Sequence, residues 1–431
     1  MRTLKNYVVI KEYDSLVRGE HASLPANYVS LPEKTFDELE NFVITHKSES
    51  GVEALELLSI SSKRGIGKVI SAKNYVGLIQ MKDGTQIEIL PKIYTRENDH
   101  SVTETRKIFL KMLKSLKDSP FKSFNHSSLG TTPNNLFEIF IRMFIDETRE
   151  LIKKGLRSNY IGVEENEKFF KGKLLINEQI KRNIVHKELF FVSYDLFHLN
   201  RPENKLIKAT LIKLLKTSTN SKNLKDIEKL LVAFEMVDVS VHYEKDFMSI
   251  KTDRSTKGYE FVLLWSKIFL MNKSFTTFAG ANVAYALLFP MEKIFEAYMG
   301  NVIRKHFGAS NKVILQDRSF YLFDEPRKFN LQPDIVLKSK ESTIIMDTKW
   351  KLLSPSYTNH AITQADMYQM YVYSKKYNAR KTCMLYPLHE GLTANDTSGL
   401  SYLSDDGVEV EIIFVDLQQM ARSIERIAHF V

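Results

Sequence analysis

Two acids and a lysine stand out because they lie beside stretches that are typical of buried strands. Asp334 precedes the apolar run "IVL", and Asp347 follows the run "STIIM". Lys349 comes two residues later, so on a strand its side chain lies on the same face as that of Asp347. We therefore expect an acid and an amine side by side at one strand end.

The segment between the two acids predicts that they meet. "KSKES" is typical of a hairpin turn, which makes the flanking strands antiparallel. With Ser339 and Lys340 at the tip, Asp334 at the start of one strand lies near Asp347 at the end of the other. The alternative is a solvent-exposed hairpin in which Asp347 and Lys349 form only a surface ion pair.

Converging carboxylates of this kind favour metal-dependent hydrolysis. Two carboxylates at one sheet end repel each other unless they are protonated or bridged by a cation. Mg²⁺ fits, since it takes oxygen ligands and keeps waters for substrate phosphates. Lys349 would then orient or deprotonate a water and stabilise charge on a phosphate, which is the chemistry of phosphodiester hydrolysis.

A predicted helix before these strands supplies a third acid. "PMEKIFEAYMGNVIRKHF" places Glu296 beside the apolar stripe of Phe295, Met299 and Ile303. The carboxylate of Glu296 is therefore predicted to border the same site. The alternative is an exposed helix carboxylate.

A second predicted helix, after these strands, carries amides and phenols. "QADMYQMYVY" pairs Gln364 with Tyr368 and Gln369 with Tyr373, each pair four residues apart on one helix face. Beside the basic strand end that also carries Lys351, these side chains suit contacts with a DNA backbone. The alternative is that the tyrosines belong to a buried aromatic face.

The composition is that of an ordinary globular protein. Its 431 residues are 43% hydrophobic and carry a formal charge of +9, which suits two or three domains and a polyanionic partner. The single Cys383 excludes an internal disulfide and a cysteine-ligated zinc site, and we expect it to be a buried small residue. No signal-peptide core, membrane-length apolar stretch or G-x-x-x-x-G-K-[ST] loop occurs, so a cytoplasmic protein without a Walker motif or membrane association is expected.

The hydrophobic period changes twice along the chain and predicts a mixed α+β fold in three parts. Residues 1–102 predict a β domain, with strands in "GVEALELLSI", "GKVISAKNYVGLIQM" and "TQIEILPKI" and a hairpin turn at Asp83-Gly84. Residues 103–280 are predicted to be mainly helical, as in "TRKIFLKMLKSLK", "NNLFEIFIRMFIDETRELIKKGL" and "ENKLIKATLIKLLK". Residues 281–431 alternate helices with strands such as "KTCMLYP" and predict an α/β domain.

A basic hairpin is predicted within the first part. In "SSKRGIGKVISAKNYVG", the cations Lys63, Arg64 and Lys68 surround Gly65 and Gly67 between two apolar strand runs. The tip of such a hairpin is exposed and positively charged. The alternative to a binding role is an ordinary charged turn that aids solubility.

Together these motifs resemble a known family. "PD" followed by "DTK" looks like the PD-(D/E)xK nuclease superfamily, and the Q-x-x-x-Y spacing looks like its RecB-type branch. Over residues 75–373 the order of segments is similar to the McrC family, the nuclease subunits of McrBC-type modification-dependent restriction systems. The segments that carry this similarity are "YVGLIQMKDGTQIEILPKI", "FFKGKLLINEQIKRN", "FPMEKIFEAYM", "QPDIVL", "DTKWK" and "QADMYQMYVY". The chain departs from the family pattern at Gln332, where arginine is more frequent, and at Trp350, which replaces a usual tyrosine.

The resemblance implies a catalytic site and a domain organisation. It assigns catalysis to Asp334, Asp347, Lys349 and Glu296, with the three acids as ligands of Mg²⁺ or of Mn²⁺ as a substitute. It implies that residues 281–431 form a PD-(D/E)xK-type nuclease domain with a central mixed sheet. Residues 103–280 would then be a connecting region and residues 1–102 a partner-docking domain.

The resemblance also implies a partner. Family members cut double-stranded DNA that carries modified cytosine, such as 5-methylcytosine, when an McrB-like AAA+ GTPase ring acts on it; the ring binds GTP and reads the modified base. The hairpin of Lys63, Arg64 and Lys68 is then predicted to bind that ring and stimulate its turnover in phage defence. Two alternatives remain open: a stand-alone RecB-type repair nuclease, and a motor-stimulating interaction subunit with weak nuclease activity.

Overall fold

The structure of the protein is a computed structural model. It describes residues 7–45, 54–81, 83–93, 99–116, 121, 135–250, 257–271, 277–278, 283–339, 342–389, 391–392 and 400–431. The chain divides into two compact units, of which the first combines Met1–Phe124 with Phe275–Val431 and the second is Asn125–Ser274. The segments 1–102 and 281–431, which the sequence pattern separates, therefore belong to one unit.

The helices and strands follow one another in three blocks along the chain. The first block contains β1 Tyr7–Lys11, β2 Ser15–Arg18, β3 Tyr28–Leu31, α1 Glu33–Thr45, α2 Ala54–Leu57, β4 Leu58–Lys63, β5 Gly67–Ala72, β6 Tyr75–Met81, β7 Gln86–Leu90 and α3 Asp99–Leu113. The second contains α4 Leu136–Lys153, β8 Asn159–Glu167, β9 Lys173–Leu174, α5 Ile176–Asn183, β10 Phe190–His198, α6 Pro202–Thr217, α7 Ser221–Val232, α8 Tyr243–Ser249, a 3-10 turn at Lys257–Tyr259 and α9 Glu260–Met271. The third contains β11 Thr277–Phe278, β12 Val283–Pro290, α10 Met291–Phe307, β13 Lys312–Leu315, β14 Tyr321–Asp324, β15 Arg327–Asn330, β16 Ile335–Lys338, β17 Thr343–Thr348, a 3-10 turn at Thr358–Ala361, α11 Gln364–Tyr377, β18 Lys381–Pro387, β19 Ser401–Leu403, β20 Glu409–Val415 and α12 Met420–Phe430.

The N-terminal block is β-rich, as predicted, and two of its hairpins are confirmed. β6 and β7 pair across the turn that contains Asp83 and Gly84, and β4 and β5 pair with Lys63 opposite Gly67. One strand prediction is wrong in part, because Ala54–Leu57 of "GVEALELLSI" is the short helix α2. This segment consists of good helix formers, whose propensity favours a turn of helix before β4 begins.

A five-stranded sheet joins the two ends of the first unit. Its strand order is β1-β7-β6-β12-β11, so β12, which directly precedes α10, lies beside β6 of the N-terminal block. The joint is close at Gly77, whose φ is 145° and where an added Cβ would lie 2.0 Å from the carbonyl oxygen of Leu287. Glycine is therefore needed at this position because no side chain fits between the two backbones.

The second unit is mainly helical and also contains a sheet that the sequence analysis did not predict. The predicted helices appear as α4 and α6, with α7 and α9 packed against them. Between α4 and α6, β8, β10 and β9 form a three-stranded sheet in that order. None of the helices in the described part of the chain is long and apolar enough to cross a membrane.

A six-stranded mixed sheet carries the candidate site. Its order is β13-β16-β17-β18-β20-β19, in which β17, β18 and β20 are parallel neighbours and the other pairs are antiparallel. The apolar centre includes Ile345, Met370 and Met384, from β17, α11 and β18. Cys383 is buried in β18, as expected. The helices α10 and α11 both contact β17, so this strand brings residues from two helices to its end.

Candidate active site

The pairing of β16 with β17 brings Asp334 and Asp347 together. The strands are antiparallel, as predicted, with Ile335 opposite Met346, so the two acids lie next to this pair at the same end of the strands. Lys338 pairs with Thr343, whereas the predicted tip at Ser339 and Lys340 would have paired it with residue 341. Residues 340 and 341 lie outside the described part of the chain. The observed register places Asp334 directly across from Asp347.

Asp334 is held by donors from two directions. Its Oδ2 accepts hydrogen bonds from the backbone nitrogen of Thr348 at 2.8 Å and from the Thr348 hydroxyl at 2.6 Å. Its Oδ1 accepts one from Gln316 Nε2 at 3.2 Å. Burial, together with the nearby negative charge of Glu296, nevertheless raises the pKa of Asp334 to about 6. The donors therefore orient the carboxylate but only partly offset the cost of its charge.

Asp347 and Lys349 form the acid and amine pair that their spacing predicts. Asp347 is buried, and its Oδ2 lies 2.7 Å from Lys349 Nζ. Burial and the charge of Asp334 raise the pKa of Asp347 to about 6. Burial alone favours a neutral amine at Lys349, but Asp347 and the other acids outweigh it and raise the pKa of Lys349. Asp347 is buried and the Lys349 side chain is only 15% exposed, so this is not the solvent-exposed ion pair of the alternative interpretation.

Asp366, at the start of α11, is a member of this cluster that the sequence analysis missed. It lies 3.5 Å from Lys349 Nζ and 2.7 Å from Lys351 Nζ. Thr363 caps the helix by accepting from Asp366 N, and its hydroxyl donates to the Asp366 carboxylate. Although burial opposes it, these donors and cations lower the pKa of Asp366. The T-x-x-D pattern is a helix-start signal that could have drawn attention to this residue.

The two glutamine and tyrosine pairs of α11 have different surroundings. Gln369 accepts a hydrogen bond from Lys349 Nζ at 2.9 Å and donates one to the hydroxyl of the buried Tyr373 at 2.8 Å. Gln364 donates to the Tyr368 hydroxyl at 2.5 Å, and both side chains are exposed. The first pair therefore supports Lys349 from inside, whereas the second is available at the surface.

Glu296 reaches the site through two glutamines. Gln316 donates hydrogen bonds to the carboxylates of both Glu296 and Asp334, and Gln332 donates to the side-chain oxygen of Gln316. Gln316 adopts a φ of 53°, which a non-glycine residue rarely does. Burial raises the pKa of Glu296, and the charge of Asp347 raises it further. The sequence carries no spacing signal for Gln316, since it lies in the loop after β13.

The donor set fits a hard divalent cation bound by two carboxylates. Asp334 and Asp347 face each other, Asp347 is buried and Asp334 partly buried, and both have raised pKa values, so a cation between them would relieve their repulsion. Within the residues that the structure describes, no three or more His, Cys, Asp or Glu side chains are grouped to hold a metal ion. The protein ligands offered are therefore two carboxylates, with Glu296 behind Gln316, which suits a cation that retains several waters.

The basic hairpin is a separate surface. Lys63, Arg64 and Lys68 are exposed at the β4–β5 turn, where Gly65 has a φ of 81°. Lys68 forms an ion pair with Glu40 of α1 at 2.7 Å. Lys63 and Arg64 lie at the end of the hairpin, as predicted from the sequence.

The fold and site define a mixed α+β protein with a buried acid and lysine cluster at the end of a mixed sheet. The chain belongs to the McrBC family, because the family model described as "McrBC 5-methylcytosine restriction system component" matches residues 70–387. The family resemblance drawn from the sequence is thus confirmed. A search of curated proteins gives no match.

Solved structures support the same fold. A half-complex from a tetradecameric assembly of Thermococcus gammatolerans McrB AAA+ hexamers with bound McrC matches with a TM-score of 0.71 and 18% identity, over 98% of this chain and 100% of that chain. The cryo-EM structure of the Thermococcus gammatolerans McrBC complex matches with a TM-score of 0.50 and 18% identity, over 69% and 87% of the two chains. At this identity the likeness shows the fold.

Proposed function

We propose that this chain is the DNA endonuclease subunit of a modification-dependent restriction system, of the PD-(D/E)xK type. The observation that carries the proposal is the pair of Asp334, partly buried, and Asp347, buried, with Lys349 at 2.7 Å from Asp347, in a chain of the McrBC family. A buried, like-charged pair destabilises a fold unless it has a function or a ligand. Metal-dependent hydrolysis of a phosphodiester bond would give this pair a function, catalysis, and a ligand, the divalent cation.

The residues of the site divide the work. Asp334 and Asp347 would hold Mg²⁺, or Mn²⁺ in its place, and Glu296 would border the ion through Gln316. When bound, such a cation supplies Lewis-acid activation of water and of the phosphate. Lys349, kept charged by Asp347 and oriented by Gln369, donates to a phosphate oxygen and stabilises its developing negative charge.

The DNA is proposed to lie along the exposed part of α11 and the end of β17. Gln364 and Tyr368 present an amide and a phenol at the surface, and Lys351 adds a cation beside them. Such groups bind phosphate and sugar without reading sequence. Gln369 and Tyr373 act from behind by supporting Lys349.

A nucleotide-driven partner fits the remaining features. The chain has no phosphate-binding P-loop in its sequence, and the similar Thermococcus assembly contains McrB AAA+ hexamers with bound McrC. We propose that an McrB-like AAA+ GTPase ring binds GTP and the modified DNA, while the hairpin of Lys63, Arg64 and Lys68 contacts the ring and stimulates its turnover.

Reconstitution tests this proposal. The chain, alone and with an McrB-like AAA+ protein from the same genome, is incubated with methylated or unmethylated DNA, GTP or ATP, and Mg²⁺ or EDTA. Cleavage is expected only with partner, GTP, Mg²⁺ and modified DNA. Lys349→Ala is expected to lower cleavage about a thousandfold while GTPase stimulation persists. Lys305→Ala, an exposed lysine near the end of α10, is the matched control.

The outcomes separate the alternatives. Cleavage by the chain alone, without nucleotide, supports a stand-alone RecB-type repair nuclease. Stimulation of the GTPase with no cleavage under any condition supports an interaction subunit with a weak or idle site. Wild-type cleavage by Lys349→Ala contradicts the proposed active site.

A further inference from the structure

A buried carboxylate of the N-terminal block contacts the residue that directly follows the candidate catalytic lysine. Glu12 is 3% exposed, and both of its carboxylate oxygens lie 3.0 Å from the indole nitrogen of Trp350. Trp350 is 2% exposed and follows Lys349 directly in the chain. None of the proposed catalytic steps uses Glu12, and burying a carboxylate is costly.

Trp350 and the adjoining Lys349 contact two different elements around the candidate site. Its ring packs on Phe295, with ring centroids 5.2 Å apart, and Phe295 precedes Glu296 on α10. The backbone nitrogen of Lys349, the residue before Trp350, donates to the carbonyl oxygen of Leu385 in β18 at 2.9 Å. The position of Trp350 therefore constrains the backbone of Lys349 and the start of the helix that carries Glu296.

Lys92 completes a clamp around this tryptophan. Its backbone nitrogen donates to Glu12 Oε2 at 3.1 Å, and its Nζ donates to the carbonyl oxygen of Trp350 at 3.2 Å. Burial raises the pKa of Glu12 to about 7, even though Lys92 and Trp350 act in the opposite direction. The N-terminal block thus holds Trp350 by its side chain and by its backbone.

The loop between β1 and β2, which contains Glu12, is hydrogen-bonded to strand β5 of the basic hairpin. The backbone nitrogen of Tyr13 donates to the carbonyl oxygen of Ala72 at 3.0 Å, and the nitrogen of Ala72 donates to the carbonyl oxygen of Asp14 at 2.9 Å. Ala72 is the last residue of β5, and Lys68 is the second residue of the same strand. Tyr13 has a φ of 69°, an uncommon conformation for this residue type. A continuous set of contacts therefore runs from the hairpin strand through Glu12 to Trp350.

We infer that Glu12 is a positioning residue for the nuclease site, which acts through Trp350 to hold Lys349 and joins the partner-binding hairpin to catalysis. This inference rests on the proposed function, because it requires a nuclease site to position. A misplacement of about 1 Å at a reacting group can lower a rate about 100-fold. Loss of the Glu12 contact should therefore reduce cleavage without affecting partner binding.

A double-mutant cycle tests the inference in the assembled complex. Glu12→Gln keeps the shape of the side chain, and Trp350→Phe keeps a ring against Phe295 but removes the N–H donor. Each is expected to lower the single-turnover cleavage rate about 10- to 100-fold, with unchanged GTPase stimulation and unchanged DNA concentration at half-maximal rate. The double variant is expected to be no slower than the slower single variant, because both changes weaken the same contact: glutamine leaves one acceptor oxygen for the two N–H donors, of Trp350 and Lys92, that the carboxylate serves.

Several results would overturn it. Additive effects of the two changes would show that Glu12 acts by another route, such as Lys92, and a wild-type rate in Glu12→Gln would show that the contact is not needed. A GTPase stimulation that falls in parallel with cleavage would assign Glu12 to partner binding instead. Circular dichroism confirms that each variant is folded, and Trp350→Phe alone decides if Glu12→Gln does not fold.

A spectroscopic arm keeps the inference separate from the proposed function. The chain has two tryptophans, so Trp265→Phe leaves Trp350 as the single emitter. Glu12→Gln in this background is expected to shift Trp350 emission, because the carboxylate beside the indole is lost. If the wild-type protein cuts no DNA, the proposed function is wrong. The contact between Glu12 and Trp350 is tested separately, because unchanged Trp350 emission in the Glu12→Gln variant would contradict it.

Discussion

Neutralising two carboxylates of the same site should change the stability of the fold in opposite directions. The perturbations are Asp334→Asn and Asp366→Asn, each compared with wild type in EDTA at pH 8. Both replacements are nearly isosteric, so differences in packing are small. Asp334 has a raised pKa and Asp366 a lowered one.

The sign for each residue follows from proton linkage. The pKa of Asp334 rises from 3.8 to about 6 on folding, so the folded state binds the proton more tightly. Stability then falls as the pH rises from 3.8 to 6, and the full penalty is present at pH 8. The effect of Asp366 has the opposite sign, because its pKa is lowered on folding. Its charge stabilises the fold when the pH is above the pKa of the unfolded state, and this stabilisation is lost as the pH falls through the lower pKa of the folded state.

The expected magnitude for Asp334 comes from the same difference. About two pKa units correspond to about 3 kcal/mol as an upper limit. Asparagine accepts less strongly from Thr348 and Gln316 than a carboxylate does, so we expect Asp334→Asn to stabilise the first unit by about 1–2 kcal/mol. Asp366→Asn should destabilise it, because Lys349 and Lys351 both lose a partner.

Urea unfolding followed by tryptophan fluorescence measures these changes. In a Trp265→Phe background the signal comes from Trp350, which lies in the first unit, so unfolding of the second unit does not contribute. The difference between the variants should shrink toward pH 5, where the pKa of Asp334 lets wild type protonate as well. If Asp334→Asn lowers the urea midpoint as much as Asp366→Asn does, the electrostatic account of the site is wrong.

The partner hairpin, the cation site and the sheet joint give further expectations. Replacing Lys63, Arg64 and Lys68 with alanine should lower stimulation of the partner GTPase, measured by steady-state GTP hydrolysis, with Mg²⁺ binding by the chain unchanged; undiminished stimulation would remove the hairpin from partner binding. Saturating Mg²⁺ at ten times its Kd should stabilise wild type by about 1.4 kcal/mol in a thermal melt but leave Asp347→Asn unaffected, and an equal response would place the cation elsewhere. Gly77→Ala should destabilise the first unit by about 3 kcal/mol or more in urea, because its Cβ meets a β12 carbonyl oxygen; a near-neutral effect would contradict the close joint.

The strand pair of the candidate site, β16 and β17, was predictable because its signals are local. The apolar runs before Asp347 and after Asp334 fix the strands, and a spacing of two fixes the face that Lys349 shares with Asp347. The turn centre was misplaced by one residue, because a polar segment such as "KSKES" contains several positions that can form a tip. The family resemblance rested on several such segments in order, and it is confirmed over residues 70–387.

The remaining site residues depend on contacts between distant segments. Gln316 reaches Asp334 from the loop after β13, and Glu12 reaches Trp350 from the other end of the chain. Neither contact leaves a periodic pattern in one sequence, since hydrogen bonds between loops have no fixed spacing. The helix α1 was missed for a different reason: its apolar positions Phe36, Leu39 and Val43 have helical spacing, but the surrounding β-type alternation dominated the interpretation.

The pairing of β6 with β12 also determines the order in which the chain can fold during synthesis. Residue 77 pairs with residue 288, so the five-stranded sheet cannot close until the ribosome has released about two thirds of the chain. Until then β6 keeps an open edge, which is a template for association with other chains. A polypeptide that terminates early therefore has an incomplete N-terminal sheet and lacks β16 and β17, and fragments that end at residue 102 or begin at residue 291 should aggregate when expressed. The candidate site at β16 and β17 is synthesised only after every strand of this sheet, so the sheet can be complete before the candidate site leaves the ribosome.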